Sequence, residues 1–235
     1  MKQIQKSQIK IKLCGLTRPS DIETANLLHP DFVGFVFAKK SRRYVSMERV
    51  RTLKELLHPE ISAVGVFVDE EPEVVAAWLS SGVIDMAQLH GGEDETYIGK
   101  LRELTDRPVI KAFSVRDERD IRRACGSTAD FVLLDAGDGG TGTAFDRELL
   151  AGMNRPYFLA GGLDPSTVGE AVRRWRPYAV DVSSGIETDG YKDAEKMQAF
   201  VECVRSTSKD VAPLDGTPGS TKSRTGECQR TAFSE

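Results

Sequence analysis

The chain has 235 residues, 40 % of them apolar and 29 % charged, with a formal net charge of −4 at pH 7. That length and apolar content suit one α/β-barrel-sized domain with a sizeable core. The slight acidity removes any electrostatic case for a nucleic-acid partner, whose binders carry a basic patch. No apolar run approaches the roughly 20 residues that cross a bilayer, so no membrane partner is expected. The polar start from Met1 to Gln8 lacks the apolar stretch of a secretory signal. Cys14, Cys125, Cys203 and Cys228 form no C-x-x-C or Cys/His ligand pattern. A reducing cytoplasm with Cys14 as a free thiol is the expectation.

In chain order, short runs rich in Val, Ile and Phe read as strands, each followed by an amphipathic helical pattern. Strand 9–14 leads to helix 20–28, strand 31–37 to helix 47–57, and strand 62–68 to helix 73–80. Strand 84–89 leads to helix 93–104, strand 109–113 to helix 118–124, and strand 131–135 to helix 146–150. Strand 157–160 leads to helix 165–175 and strand 179–182 to helix 194–204. Ser46 before Met47-Glu48, and Asp164 before Pro165, read as helix N-caps. Strands that are apolar throughout imply burial on both faces. Eight such units of about 25 residues predict a single (β/α)8 TIM barrel of eight parallel strands. An open doubly wound sheet is the alternative, but no G-x-G-x-x-G follows the first strand. Residues 1–8 read as a short extension and 9–205 as the barrel. Residues 206–235, half of them Ser, Thr, Gly or Pro, read as a disordered tail in which Cys228 is incidental.

Barrel active sites are built from the loops that follow the strands, so strand-end residues carry the information. Ala160-Gly161-Gly162-Leu163 after strand seven and Ser183-Ser184-Gly185 after strand eight suit phosphate, because glycine lets backbone N–H groups approach an anion closely. Gly139-Gly140-Thr141-Gly142 after strand six supplies another wall. Cys14 sits where the first strand gives way to Gly15-Leu16-Thr17. There it is either a base, if a nearby cation lowers its pKa, or a small apolar filler. Asp135 terminates Val132-Leu133-Leu134, where desolvation favours a protonated, acid-competent carboxyl; Asp138 is the better turn residue. Arg43, after strand two, suits paired hydrogen bonds to a substrate carboxylate, whereas Arg42 reads as solvated. Gln88 and His90 flank Leu89, so both reach the mouth from strand four; no second ligand accompanies His90 to make a metal site. Lys111, inside an apolar strand, is either a Schiff-base nucleophile or the partner of an inward carboxylate, the second being the commoner use.

These residues resemble the phosphoribosylanthranilate isomerase family of tryptophan biosynthesis, from about Ile9 to Val204. The resemblance rests on Lys12-Leu13-Cys14-Gly15-Leu16-Thr17, Gly34-Phe35-Val36-Phe37 with Ser41-Arg42-Arg43-Tyr44, and Val64-Gly65-Val66-Phe67-Val68. It rests equally on Gln88-Leu89-His90-Gly91, Leu134-Asp135 with Gly139-Gly140-Thr141-Gly142, Ala160-Gly161-Gly162-Leu163, and Val180-Asp181-Val182-Ser183-Ser184-Gly185. It implies a (β/α)8 barrel without cofactor or metal that performs an Amadori rearrangement on a phosphorylated aminosugar. By it Cys14 is the general base, Asp135 the general acid, and Arg43 the holder of the anthranilate end; Gln88 and His90, read as facing the mouth, are expected to bind substrate. The phosphate falls to Gly142, Gly161, Gly162, Ser183, Ser184 and Gly185. Monomer and homodimer both stay open.

The nearest rivals are the histidine-pathway aminoaldose isomerase and its bifunctional relatives, which place a carboxylate where this chain has Cys14. Their two-fold repeat of the phosphate motif calls for a glycine-rich loop after strand three, where this chain has Val68-Asp69-Glu70-Glu71. A non-catalytic phosphate-binding barrel is the rival of another class, but it has no reason to keep Cys14, Asp135 and Arg43 together.

Overall fold

The computed structural model describes residues 8–136 and 147–209. Eight parallel strands close into a barrel in sequence order: β1 Lys10–Cys14, β2 Phe32–Val36, β3 Ser62–Phe67, β4 Met86–Leu89, β5 Val109–Val115, β6 Phe131–Ala136, β7 Tyr157–Leu159 and β8 Ala179–Val182. β1 closes on β8 through Lys12↔Asp181 and Leu13↔Val182. The helices are α1 Pro19–Leu28, α2 Met47–Leu56, α3 Pro72–Ser80, α4 Glu95–Leu104, α5 Glu118–Gly126, α6 Val168–Trp175 and α7 Ala194–Ser208, with a short 3-10 helix at Arg147–Gly152 after β6.

The uniformly apolar strands are buried on both sides, and their alternation sorts residues into two layers. Phe32, Val64, Met86, Ile110, Ala112, Leu133, Phe158 and Ala179 pack together inside the barrel. Their neighbours of opposite parity, such as Val33, Ala63, Ala87, Val132 and Val180, join a larger cluster with the helices. By the same parity Cys14, Gln88, Asp135 and Asp181 turn toward the lumen. At about 25 cal/mol per Å², a fully buried strand valine or phenylalanine contributes roughly 1.5–3 kcal/mol, so either layer tolerates few truncations.

Local differences from the sequence expectations have identifiable causes. Ser46 caps α2 as expected, its Oγ accepting from Arg49 N. α6 starts at Val168 rather than 165, because the Asp164 carboxylate accepts from Ser166 N and Thr167 N and closes a separate turn ahead of the helix. β5 runs two residues further, since Ser114 and Val115 find partners in Asp135 and Ala136. α7 continues through Ser208, past the expected boundary at 205; Thr207 and Ser208 are buried, and Ser208 Oγ donates to the Val204 carbonyl. The Gly139–Gly142 wall and residues 210–235 lie outside the described residues.

Candidate active site

Cys14 is the last residue of β1, and two glycines make room for it. Gly15 adopts φ +79°, where a side chain would be strained and would collide with Arg43 Cδ. A Cβ on Gly34 of β2 would fall 2.6 Å from Cys14 Sγ. The loop beyond is held by Asp21, whose carboxylate accepts from Thr17 N and Arg18 N at 2.9 Å.

Charged groups surround the thiol. Lys12, two residues back on the same face of β1, is fully buried and its Nζ donates to Asp181 Oδ1 at 2.9 Å. Glu187, after β8, receives Arg43 Nε at 2.6 Å, Arg43 Nη2 at 2.9 Å and Lys192 Nζ at 2.7 Å. Leaving aside the exposed Arg42, which also reaches Glu187 at 3.2 Å, three cations (Lys12, Arg43, Lys192) face two carboxylates (Asp181, Glu187), a surplus of one positive charge. Loss of the Cys14 proton would balance it.

The titrations follow from this arrangement. Burial alone would push the Lys12 ammonium down, but Asp181 and Cys14 hold it above the ordinary lysine value. Burial pushes the Cys14 thiol up; Lys12 and Lys192 oppose this without overcoming it. The cation that the sequence reading asked for is therefore present, yet the resting group is a thiol. Glu187 is held down at about 2: burial opposes its charge, and the hydrogen bonds from Arg43 and Lys192 more than offset that. Lys192 itself falls below the ordinary lysine value through burial.

On the other side of the mouth, Asp135 near the end of β6 meets His90, Nε2 to Oδ2 at 3.4 Å. His90 Nδ1 lies 2.8 Å from Gln88 Nε2. The buried Gln88 Oε1 has no protein partner among the described residues. Because the Gln88 amide donates to Nδ1, the proton of a neutral His90 sits on Nε2 and faces Asp135.

The loops after β7 and β8 form the adjoining wall. Gly161 and Gly162 both have positive φ, at 82° and 62°. A Cβ on Gly185 would run into the Leu163 carbonyl oxygen, so the two loops pack against one another only with glycine there. Ser183 Oγ donates to the Cys14 carbonyl at 3.1 Å, and Lys192 Nζ to the Ser183 carbonyl at 2.8 Å. Ser184 opens a short 3-10 turn, Ser184–Ile186. Together these are the backbone donors and hydroxyls that an anion at a barrel mouth uses. Of the expected phosphate residues, only Gly142 lies outside the described residues.

Cys14, Asp135, Gln88, His90, Gly161, Gly162, Ser183, Ser184 and Gly185 thus share the strand-end face of the barrel. Arg43 is there too, but its fork is engaged by Glu187. Lys111 is not: it has the parity of Val109, Phe113 and Val115, which pack toward the helices. Its Nζ donates to Glu93 Oε2 at 2.8 Å and to the Gly91 carbonyl at 2.7 Å. The expected carboxylate partner exists, on the helix side rather than inward. A buried, paired ammonium outside the lumen does not serve as a Schiff-base nucleophile. Lys12, Asp181, Glu187 and Lys192 are the charged residues that the sequence reading left without a role. A signal existed for the first two, single charges at lumen parity in otherwise apolar strands; the last two are cross-strand partners in a two-residue antiparallel ladder beyond β8, Glu187–Thr188 with Tyr191–Lys192, too short to show a pattern.

No described helix is long and apolar enough to cross a membrane. Residues 11–203 match the family model described as N-(5'-phosphoribosyl)anthranilate (PRA) isomerase. An N-(5'-phosphoribosyl)anthranilate isomerase of Endomicrobium trichonymphae is 43 % identical over 201 residues, covering 84 % of this chain and 98 % of its own. The crystal structure of phosphoribosyl anthranilate isomerase from Thermus thermophilus superposes with a TM-score of 0.77 at 36 % identity, over 84 % of this chain and 99 % of that one. A phosphoribosyl anthranilate isomerase in complex with reduced 1-(o-carboxyphenylamino)-1-deoxyribulose 5-phosphate superposes with a TM-score of 0.74 at 36 % identity, over 85 % and 100 % of the two chains. With a thiol and a carboxyl at one mouth, beside glycine-lined loops, and near-complete coverage of these relatives, the chain belongs to the N-(5'-phosphoribosyl)anthranilate isomerase family.

Proposed function

We propose that this protein converts N-(5-phosphoribosyl)anthranilate to 1-(2-carboxyphenylamino)-1-deoxyribulose 5-phosphate, with Asp135 as general acid and Cys14 as general base. The observation that carries this reading is the placement of Cys14 and Asp135 at the ends of β1 and β6, on one face of a closed barrel. Asp135 gives its proton to the furanose ring oxygen as the C1′–O bond breaks, and the nitrogen lone pair forms a protonated imine. The imine acidifies the C2′ proton, which Cys14 removes to leave an enol-amine, and tautomerisation yields the ketone. No atom is gained or lost, and acid and base suffice without a cofactor.

The high resting pKa of Cys14 suits this order of events. A resting thiolate at neutral pH is scarce, but the cationic imine adds positive charge beside a group already facing a surplus of one. Loss of the thiol proton to solvent is thereby favoured once the sugar has opened, and the thiolate so formed takes the C2′ proton. The loops of Gly161, Gly162, Ser183, Ser184 and Gly185, with Gly142, hold the phosphate. Arg43 receives the anthranilate carboxylate on the part of its fork that Glu187 does not engage. His90, with Gln88 Nε2 2.8 Å from its Nδ1 and Asp135 Oδ2 3.4 Å from its Nε2, sets the orientation of Asp135. A cytoplasmic setting agrees with a base that must stay a free thiol.

The test is the loss of substrate fluorescence on adding purified protein, with Cys14→Ala and Asp135→Asn run alongside. Positioned acid and base groups typically contribute about 10²–10⁴-fold each, so each variant should lose that much in kcat with its fold intact. A folded parent protein without turnover refutes the activity; an active Cys14→Ala variant refutes the assignment of the base.

A further inference from the structure

Two of the chain's three histidines meet far from the mouth. His29 follows α1 and His58 follows α2, so both lie on the face at the strand N-termini, opposite the strand-end face of catalysis. Their rings stand edge to face with centroids 4.8 Å apart. Glu60 completes the group: one ligand atom from each of the three lies within 4.8 Å of the others, and His58 Nδ1 is 3.9 Å from Glu60 Oε2.

The backbone beneath the cluster is fixed. Asn26 accepts from His58 N at 2.9 Å and donates to the Leu56 carbonyl at 2.8 Å, pinning the end of α2 to α1. His29 is held in a left-handed conformation at φ 44°, its N–H on the Ala25 carbonyl and its own carbonyl on Arg205 Nη2. The Glu60 amide donates to His58 Nδ1 at 3.4 Å, so that nitrogen is the unprotonated one, and a metal bound there takes the place of this long contact. His29 and Glu60 are exposed, and their side chains are free to turn.

We propose that His29, His58 and Glu60 bind one divalent transition metal of the zinc and cobalt class, joining the α1–β2 and α2–β3 loops. Two imidazoles and a carboxylate are borderline donors that select such ions over calcium or magnesium. Bonds of about 2.0–2.1 Å place tetrahedral ligands about 3.4 Å apart, so the donors need to close by about 1.5 Å at most. Rotations of the exposed side chains supply that without moving the backbone. Solvent takes the remaining position. No sequence motif announces the site, because its ligands come from two separate loops.

The experiment is a Co²⁺ titration of the full chain, followed by its visible d–d bands, with Zn²⁺ thermal shifts in parallel. The variants are His29→Asn, since asparagine tolerates the left-handed backbone, and His58→Gln. The wild type should bind one equivalent with a nitrogen and oxygen spectrum that lacks the near-ultraviolet band of a thiolate ligand. Each variant should bind at least tenfold more weakly and lose the Zn²⁺ thermal shift, with isomerase turnover unchanged in the absence of metal. Equal binding by wild type and variants, a thiolate spectrum, or no saturable binding at millimolar metal overturns the proposal.

Discussion

Replacing Glu187 by glutamine keeps its shape and removes its charge, which isolates what that charge does. The carboxylate accepts from Arg43 twice and from Lys192 once, and its side chain is only 5 % exposed. A carboxyl held at about 2 instead of the ordinary value near 4.3 corresponds to roughly 3 kcal/mol of preference for the ionised form. With screening through the solvent-exposed Arg42 side, we expect Glu187→Gln to lose about 2 kcal/mol at pH 7, or roughly 4–8 °C in Tm for a domain of this size. The sign of the pH dependence is fixed. A depressed carboxylate stabilises the fold above its unfolded value, near pH 4.3, and loses that contribution as pH falls toward 2. The gap between parent and variant in urea unfolding should therefore narrow to about half by pH 3. The same substitution removes a negative charge near Cys14, so iodoacetamide should modify the thiol faster at pH 8 in the variant. A stability gap that stays constant from pH 7 to pH 3 would refute the ionic account of Glu187.

Gly34→Ala places a methyl 2.6 Å from Cys14 Sγ and 3.1 Å from its Cα; it should cost about 1–3 kcal/mol and lower kcat far more than it alters KM, as steady-state kinetics will show. Lys111→Met strands the buried Glu93 carboxylate and should cost about 3–5 kcal/mol. The double variant with Glu93→Gln, which removes the charge and keeps an acceptor for the Asp69 and Gly91 amides, should recover part of that loss in thermal melts, and a borohydride-trapped substrate adduct on Lys111 would contradict its structural role. His90→Asn removes the ring whose Nε2 lies 3.4 Å from Asp135 Oδ2. It should lower kcat with little change in KM, as steady-state kinetics will show; an unchanged kcat removes His90 from the mechanism.

The barrel was legible because each strand is apolar throughout and each unit repeats, and parity alone then sorts lumen from helix side. Cys14, Asp135, Gln88 and His90 were readable for a related reason: strand ends point to one face whatever the loops do. Lys111 shows where the same logic needed to go one step further. Its neighbours Val109 and Phe113 fix its side of the sheet, but from sequence alone both sides of a doubly buried strand look alike. Glu187 was invisible. Its partners Arg43 and Lys192 come from different loops, and no spacing rule joins a carboxylate to an arginine 144 positions away. The start of α6 was misjudged because Asp164-Pro165 fits an N-cap and a pre-helical turn equally well.

Cys14 lies on the seam where the first strand meets the last: β1 pairs with β8, and Ser183 just beyond β8 bonds to the carbonyl of Cys14. The residues that tune and hold this corner, Asp181, Ser183, Glu187 and Lys192, all belong to the end of the chain. On the ribosome, at about 5–20 residues per second, β1 waits roughly ten to thirty seconds for its second neighbour. Through that interval it presents an unpaired edge, with Lys12 deprived of its counter-ion. The order of synthesis thus makes β8 and the residues up to Lys192 the closing staple of the fold and the last to arrive around the Cys14 thiol.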